Sequence, residues 1–171
     1  MKAKRRSGLL GLMLLVVCLL AAACSSGGAA TSKDGSKSKD DGLSTTVFEA
    51  NVNGVETEMT YTHKGDKVVK QETHSVIQYE SLGVSSKEEA EEMFSFVAEE
   101  YDIDGVTYEV DYQEEEMTES VTVDYEKADI QEVMSLMGTL NDQEEEGQKV
   151  KYISMKQSKE LLLEQGYTEK K

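Results

Sequence analysis

The sequence predicts an α+β fold: one antiparallel five-stranded sheet, ordered β-β-β-α-β-β-α-α along the chain, with helices packed on one face. Three observations predict it. Residues 47–79 and 106–125 alternate apolar and polar side chains with period two, the mark of strands buried on one side only. Asn53-Gly54 separates two such runs, and both residues tolerate the positive φ that a tight hairpin needs. Residues 87–101 instead place Ala90, Met93, Phe94, Val97, Ala98 and Tyr101 at i, i+3, i+4, i+7, i+8 and i+11, a single apolar stripe on a helix.

The first strand is Val47–Val52, with Phe48, Ala50 and Val52 on one face. Asn53-Gly54 turns it into a return strand from Val55 to His63, in which Val55, Met59 and Tyr61 share a side. Lys64-Gly65-Asp66 turns again into a third strand, Lys67–Tyr79, completing a meander. Leu82-Gly83-Val84 leads to Ser85 and Ser86, with Glu88 and Glu89 at capping-box spacing, so the helix opens at Lys87 and runs to Tyr101. Asp102-Ile103-Asp104-Gly105 ends it. A second hairpin alternates Val106, Tyr108, Val110 and Tyr112 with Thr107, Glu109 and Asp111. It loops through Gln113-Glu114-Glu115-Glu116 and returns with Met117, Val121, Val123 and Tyr125. Ile130, Val133, Met134, Met137 and Leu140 mark a second helix, Asn141–Gln148 an acidic loop and Val150–Ile153 a short extended piece. Ser154 with Gln157 caps a third helix that continues through Gln165 and stops at Gly166.

The amino terminus has a different character. Lys2, Lys4, Arg5 and Arg6 precede fifteen uncharged residues, Leu9–Ala23, and Ala21-Ala22-Ala23 leads directly into Cys24. A basic start, a short apolar run and small residues at the cut describe a secretory signal peptide over residues 1–23, cleaved between Ala23 and Cys24. As a retained helix, Leu9–Ala23 would span only about 22 Å of a hydrocarbon core of about 30 Å. The cysteine behind small residues resembles a lipobox, which implies diacylation of Cys24 and anchoring at the extracytoplasmic face of the cell membrane. Leu12–Val17 also resembles a short hydrophobic pheromone, a competing use of the leader. Residues 24–44 are Ser-, Gly-, Lys- and Asp-rich and bury too little apolar area to offset chain entropy, so they read as a flexible tether. Its root-mean-square span is about 25 Å. Residues 45–171 then form a single domain.

Removing residues 1–23 takes away four basic residues and no acidic ones, which leaves 14 Lys+Arg against 34 Asp+Glu, a net charge of −20. Nucleic acid is excluded as a partner, because its phosphates are repelled. The same charge argues against the domain lying flat on an anionic membrane and allows a cationic partner. Cys18 leaves with the leader and Cys24 is the lipid acceptor, so no disulfide, thiolate nucleophile or cysteine metal cage remains.

Phe48–Asp66, ending Thr60-Tyr61-Thr62-His63-Lys64-Gly65-Asp66 and continuing Lys67-Val68, resembles the YehR-type small bacterial lipoproteins. Gly105-Val106-Thr107-Tyr108 and Val123-Asp124-Tyr125 fit the same pattern. The resemblance covers most of residues 45–167 together with the lipobox and tether. It implies fold and location, and it supplies no catalytic residues.

Chemistry elsewhere is weak. His63 and His74 lie too far apart along neighbouring strands to share a metal. Asp102-Ile103-Asp104-Gly105 has Gln113 at the twelfth position where a calcium loop needs glutamate, and reads as a helix stop and turn. Glu114–Glu116 and Glu144–Glu146 read as wet, solubilising runs, and Glu88, Glu89, Glu91 and Glu92 as charges suited to a helix start. Eight of the eleven aromatic residues are tyrosines, which suit the edge of a core. If several shared an exposed face, they would form a binding platform. No nucleophile elbow, phosphate loop, dinucleotide fingerprint or zinc spacing occurs. We expect no catalytic residues, no metal and no cofactor. The expected function is binding of a cell-surface protein or small ligand by a lipid-anchored domain. A small solute- or metal-ion-binding lipoprotein is the alternative, and a cell-surface hydrolase comes third.

Overall fold

The computed structural model describes residues 42–136 and 150–171. Residues 1–23, Cys24, most of the expected tether, Met137 and Leu140 of the second helix, and Asn141–Gln148 lie outside the described residues. Three strands open the fold: β1 (Leu43–Val52), β2 (Val55–Lys64) and β3 (Lys67–Gln78). Asn53 and Gly54 take φ of 53° and 81°, the two positive angles of the tight hairpin, and Val52 pairs with Val55 across it. Between β2 and β3 the register shifts at Thr62/His63, where Thr62 faces Lys70 and His63 faces Val68. Val69 is the extra residue of this bulge, which lets Val68 and Gln71 both turn to the buried face.

Three short helices follow, α1 (Tyr79–Leu82), α2 (Lys87–Phe94) and α3 (Val97–Glu100). The second hairpin is β4 (Val106–Tyr112) and β5 (Glu116–Asp124), and the chain closes with α4 (Ile130–Leu136), α5 (Met155–Glu164) and β6 (Thr168–Glu169). The strands form one antiparallel sheet in the order β4-β5-β3-β2-β1-β6.

The fold class agrees with the sequence, and four details are corrected. The sheet has six strands rather than five: Thr168 and Glu169 pair with Glu49 and Phe48, and the Lys170 amide donates to the Val47 carbonyl at 2.9 Å. Two residues carry no periodicity, so only the long-range pairing defines this strand. β1 begins at Leu43, because Leu43 and Ser44 pair with Lys64 and His63 at the end of β2. Tyr79 leaves β3 to open α1, held by its hydroxyl on the Gln113 carbonyl at 2.8 Å. Finally, the helix expected over 87–101 is interrupted at Ser95-Phe96. The Ser95 hydroxyl donates back to the Glu92 carbonyl at 3.1 Å, competing with the helix ladder, and the Phe96 ring is 43% exposed. Ala90 and Phe94 of the stripe are buried, Met93 and Val97 half-buried and Ala98 exposed.

All helices cover the same face of the sheet, over two apolar clusters. Phe48, Met59, Tyr61, Val121, Val123, Tyr125, Val133, Met155 and Leu162 form the larger, beneath α4 and α5. Ile77, Tyr79, Val84, Ala90, Phe94 and Met117 form the smaller, beneath α2. The ring of Phe48 meets that of Tyr61 edge-on at 6.0 Å.

The start of α5 is doubly capped. The Ser154 hydroxyl accepts from the Gln157 amide at 3.2 Å, as the sequence predicts. Asp66, in the β2–β3 turn, accepts from that hydroxyl at 2.9 and 3.0 Å and from the Lys156 amide at 2.8 Å. Asp66→Ala is expected to cost about 1–2 kcal/mol and to speed amide exchange in the first turn of α5. Unchanged exchange there would show that Ser154 alone holds the helix start.

Candidate functional site

Two polar features stand out, one inside the fold and one on its surface. Cross-strand register lines up Ala50, Thr57, Ser75, Glu119 and Val110 in one row across β1, β2, β3, β5 and β4. The row lies on the helix-covered face, between the two apolar clusters. Thr57, Ser75 and Glu119 are all buried, Glu119 to 6% exposure. Burial raises the pKa of the Glu119 carboxyl, and the nearby Tyr108 hydroxyl partly offsets that by favouring the charged form. The two groups do not form a hydrogen bond of normal geometry: the buried Tyr108 hydroxyl has no such partner. Burial, then the Glu119 charge, pushes the Tyr108 phenol far above its usual range, and its ring stacks on Tyr101 at 4.7 Å.

Three more buried tyrosines, Tyr61, Tyr125 and Tyr167, belong to the larger apolar cluster. Tyr125 donates to the Gln71 side-chain carbonyl at 3.0 Å, and the Gln71 amide donates to the Thr73 hydroxyl at 3.4 Å. The Tyr61 hydroxyl, fully buried, has no hydrogen-bond partner among the described residues. Burial drives the phenols of Tyr61, Tyr125 and Tyr167 upward. Thr57, Ser75 and Glu119 present almost no surface to a ligand. Their effect is on stability.

The surface feature is an open cleft of about 530 Å³ at the far end of the sheet, lined by Gln78, Tyr79, Glu80, Gly83, Val84, Ser85, Glu114 and Glu115. Its two walls are α1 and the β4–β5 loop, tied by the Tyr79 hydroxyl on the Gln113 carbonyl and by the Tyr79 amide on the Glu115 carbonyl at 3.0 Å. Gly83, at φ 68°, ends α1 in the left-handed region and lets the Val84 amide return to the Tyr79 carbonyl. The lining holds three carboxylates and no basic side chain. Partial burial raises the Tyr79 pKa, and the charges of Glu91, Glu114, Asp111 and Glu88 raise it further, so the field at this end is negative. Such a cleft attracts cations.

The sequence singled out Glu114 and Glu115 as solvated charge, and the fold brings them to the cleft with Glu80. His63 bonds the Gly65 carbonyl at 2.8 Å and the Thr46 hydroxyl at 3.1 Å, whereas His74 bonds the Ser120 hydroxyl at 3.1 Å. His63 pairs with Val68, six residues before His74 on β3, a separation of about 20 Å. Among the described residues, no three histidine, cysteine or carboxylate side chains gather as a metal-binding group, and no helix is long and apolar enough to cross a membrane. Asp102–Gly105 forms the approach to β4, with Gly105 at φ 79° packed on the turn after β5. Of the tyrosines, Tyr61, Tyr79, Tyr125 and Tyr167 are buried, Tyr101, Tyr108 and Tyr112 half-buried, and Tyr152 exposed, the arrangement of a core edge. Glu144–Glu146 and Cys24 lie outside the described residues. Sequence reasoning passed over Glu119, although its parity with Met117 and Val121 places it on the apolar face.

The family profile described as "Protein of unknown function (DUF1307)" matches residues 44–168. The chain belongs to this family. Among curated DUF1307-like relatives, the Listeria monocytogenes protein "Uncharacterized lipoprotein Lmo0207" is 36% identical over 130 residues, covering 75% of this chain and 82% of that one. The Escherichia coli protein "Uncharacterized lipoprotein YehR" is 35% identical over 125 residues, covering 72% of this chain and 80% of its own length. The NMR structure of E. coli YehR superposes with a TM-score of 0.60 at 32% identity, over 73% of this chain and 88% of that one. An NMR structure of a Streptococcus pneumoniae TIGR4 protein, TM-score 0.51 at 14% identity, covers 87% of this chain and 99% of that one, and shows the fold alone. The YehR-type resemblance read from the strand and turn residues therefore holds, and relatives of this chain carry lipoprotein names.

Proposed function

We propose that this chain is a lipid-anchored extracytoplasmic domain that acts by binding rather than by turnover. The observation that supports it best is Cys24, directly behind Ala21-Ala22-Ala23 and an uncharged leader, in a chain whose relatives carry lipoprotein names. In this reading residues 1–23 are removed, Cys24 is diacylated, and the tether holds the sheet domain off the outer surface of the cell membrane. Two acyl chains give stable anchoring where one does not, because each buried methylene contributes about 0.8 kcal/mol. Detergent phase separation of cell extracts tests it. The native chain is expected in the detergent phase and Cys24→Ala in the aqueous phase; equal partitioning of the two would remove the anchor.

A second reading, binding of a small cationic solute, is favoured by the acidic cleft. NMR titration with spermidine is expected to shift Glu80, Gly83 and Glu114 first. The double variant Glu80→Gln/Glu114→Gln is expected to weaken binding about tenfold at low salt. Shifts scattered evenly over the domain would contradict a defined site.

A further inference from the structure

The negative charge of this protein is not evenly spread, and the exception lies where the chain enters the domain. Leu43, the first residue of β1, pairs with Lys64, and a side chain placed on Gly42 would sit 3.8 Å from the Lys64 Cε atom. Lys64 pairs with Lys67 across the β2–β3 turn, and Lys67 bridges to Ser154 at the start of α5. Lys151 and Lys156 flank Ser154 in sequence, with the Lys156 amide tied to Asp66. Lys64, Lys67, Lys151 and Lys156 are all exposed and make no ion pair with another described residue. By contrast Lys70, Lys87, Lys127, Lys159 and Lys170 each hold a carboxylate within ion-pair distance. Among the described residues the acidic side chain of this corner is Asp66, which accepts from the Ser154 hydroxyl and the Lys156 amide and stands as one negative charge against four lysines.

We infer that this lysine corner docks on the anionic phospholipid headgroups of the membrane that holds the tether, turning the acidic cleft outward. The inference rests on the lipid-anchor reading above. Two arguments select the occupant. The chain preceding Gly42 leads toward Cys24, so the corner is the part of the domain closest along the chain to the proposed anchor. Screening then decides the balance of charge. Twelve residues of β3 span about 40 Å, while the screening length is about 8 Å in physiological salt. With the corner down, Glu80, Glu114 and Glu115 at the far end lie several screening lengths away, and only nearby charges register. The same end of the sheet carries Asp102, Asp104, Asp124 and Glu126 beside Lys127 on the β4–β5 side. Attraction is therefore confined to the β1–β3 side, and the docked sheet tilts with that side toward the bilayer.

The test is amine-reactive acetylation of the full-length chain purified from membranes. It is reconstituted into phosphatidylcholine vesicles, or into vesicles with about one third phosphatidylglycerol. Co-flotation with both vesicle types is what the anchor requires; no flotation with either overturns the anchor reading and this inference together. Given flotation, Lys64, Lys67, Lys151 and Lys156 are expected to react about fivefold more slowly on the anionic vesicles, with Lys87 unchanged. Salt of about 0.5 M is expected to abolish the difference. The variant Lys67→Glu/Lys156→Glu is expected to lose the protection at Lys64 and Lys151 while still floating. Equal acetylation rates on the two vesicle types, or protection that survives the charge reversal, would overturn the docking and leave the anchor standing.

Discussion

Gly105→Ala is expected to destabilise the fold by about 3–4 kcal/mol, more than a methyl group added at any other described glycine. The backbone at Gly105 sits at φ 79°, which costs an L-residue about 1–2 kcal/mol. The added Cβ would also lie 2.6 Å from the Ala128 amide nitrogen and 3.0 Å from the Asp124 carbonyl oxygen and the Lys127 Cβ. Those atoms cannot retreat cheaply. The Asp124 amide donates to the Gly105 carbonyl at 2.8 Å, and the Ala128 and Lys127 amides close the turn on the Asp124 carbonyl at 2.9 and 3.0 Å. Tyr125, between them, is buried and bonded to Gln71. Gly65→Ala is the control, with φ 61° but nothing within 4 Å of a new Cβ, and should cost about 1 kcal/mol. Urea unfolding of the two variants separates backbone strain from collision. Equal losses would mean that the turn after β5 yields.

Glu119→Gln is expected to stabilise the protein at neutral pH, where it removes a buried charge, and to have little effect near pH 3. Its folded-state pKa is raised above the unfolded value, chiefly by burial. Below the unfolded carboxylate pKa both states carry the proton, and the residue is neutral in the balance. As pH rises through that value the unfolded chain ionises first, so folding loses free energy until pH passes the raised folded pKa. The amide removes this penalty and keeps a group of similar size beside Tyr108. Other carboxylates and the net charge of −16 also make stability pH-dependent, so the informative quantity is the wild-type minus variant difference across pH 3–8. A difference that does not change with pH would show that Glu119 ionises as freely folded as unfolded.

These two residues also mark the limit of what local pattern conveys. Alternation and turn chemistry were enough for the existence and order of the first five strands and for the capped start of α5 at Ser154, but not for the bulge that shifts the β2–β3 register at Thr62/His63. At the split of the long helix Ser95 and Phe96 keep helical dihedrals while the Ser95 hydroxyl bonds the Glu92 carbonyl, a local choice that periodicity does not carry, and β6 exists through contact with β1, more than a hundred residues earlier. The position of Glu119 was readable from parity, but its neighbours Ser75 and Thr57 come from other strands, so its isolation follows from the register. The cleft was legible only in part. Glu114 and Glu115 read as a wet run, and Glu80 joins them because Tyr79 turns out of β3 onto the loop.

In the proposed reading, lipid on Cys24 places the protein where it works. Intact-mass spectrometry of the protein isolated from its native membrane tests this most directly. The expected product is a polypeptide beginning at Cys24, heavier than its sequence by a diacylglyceryl group and without residues 1–23. A chain that retains the leader, or one that starts at an unmodified Cys24, would contradict it.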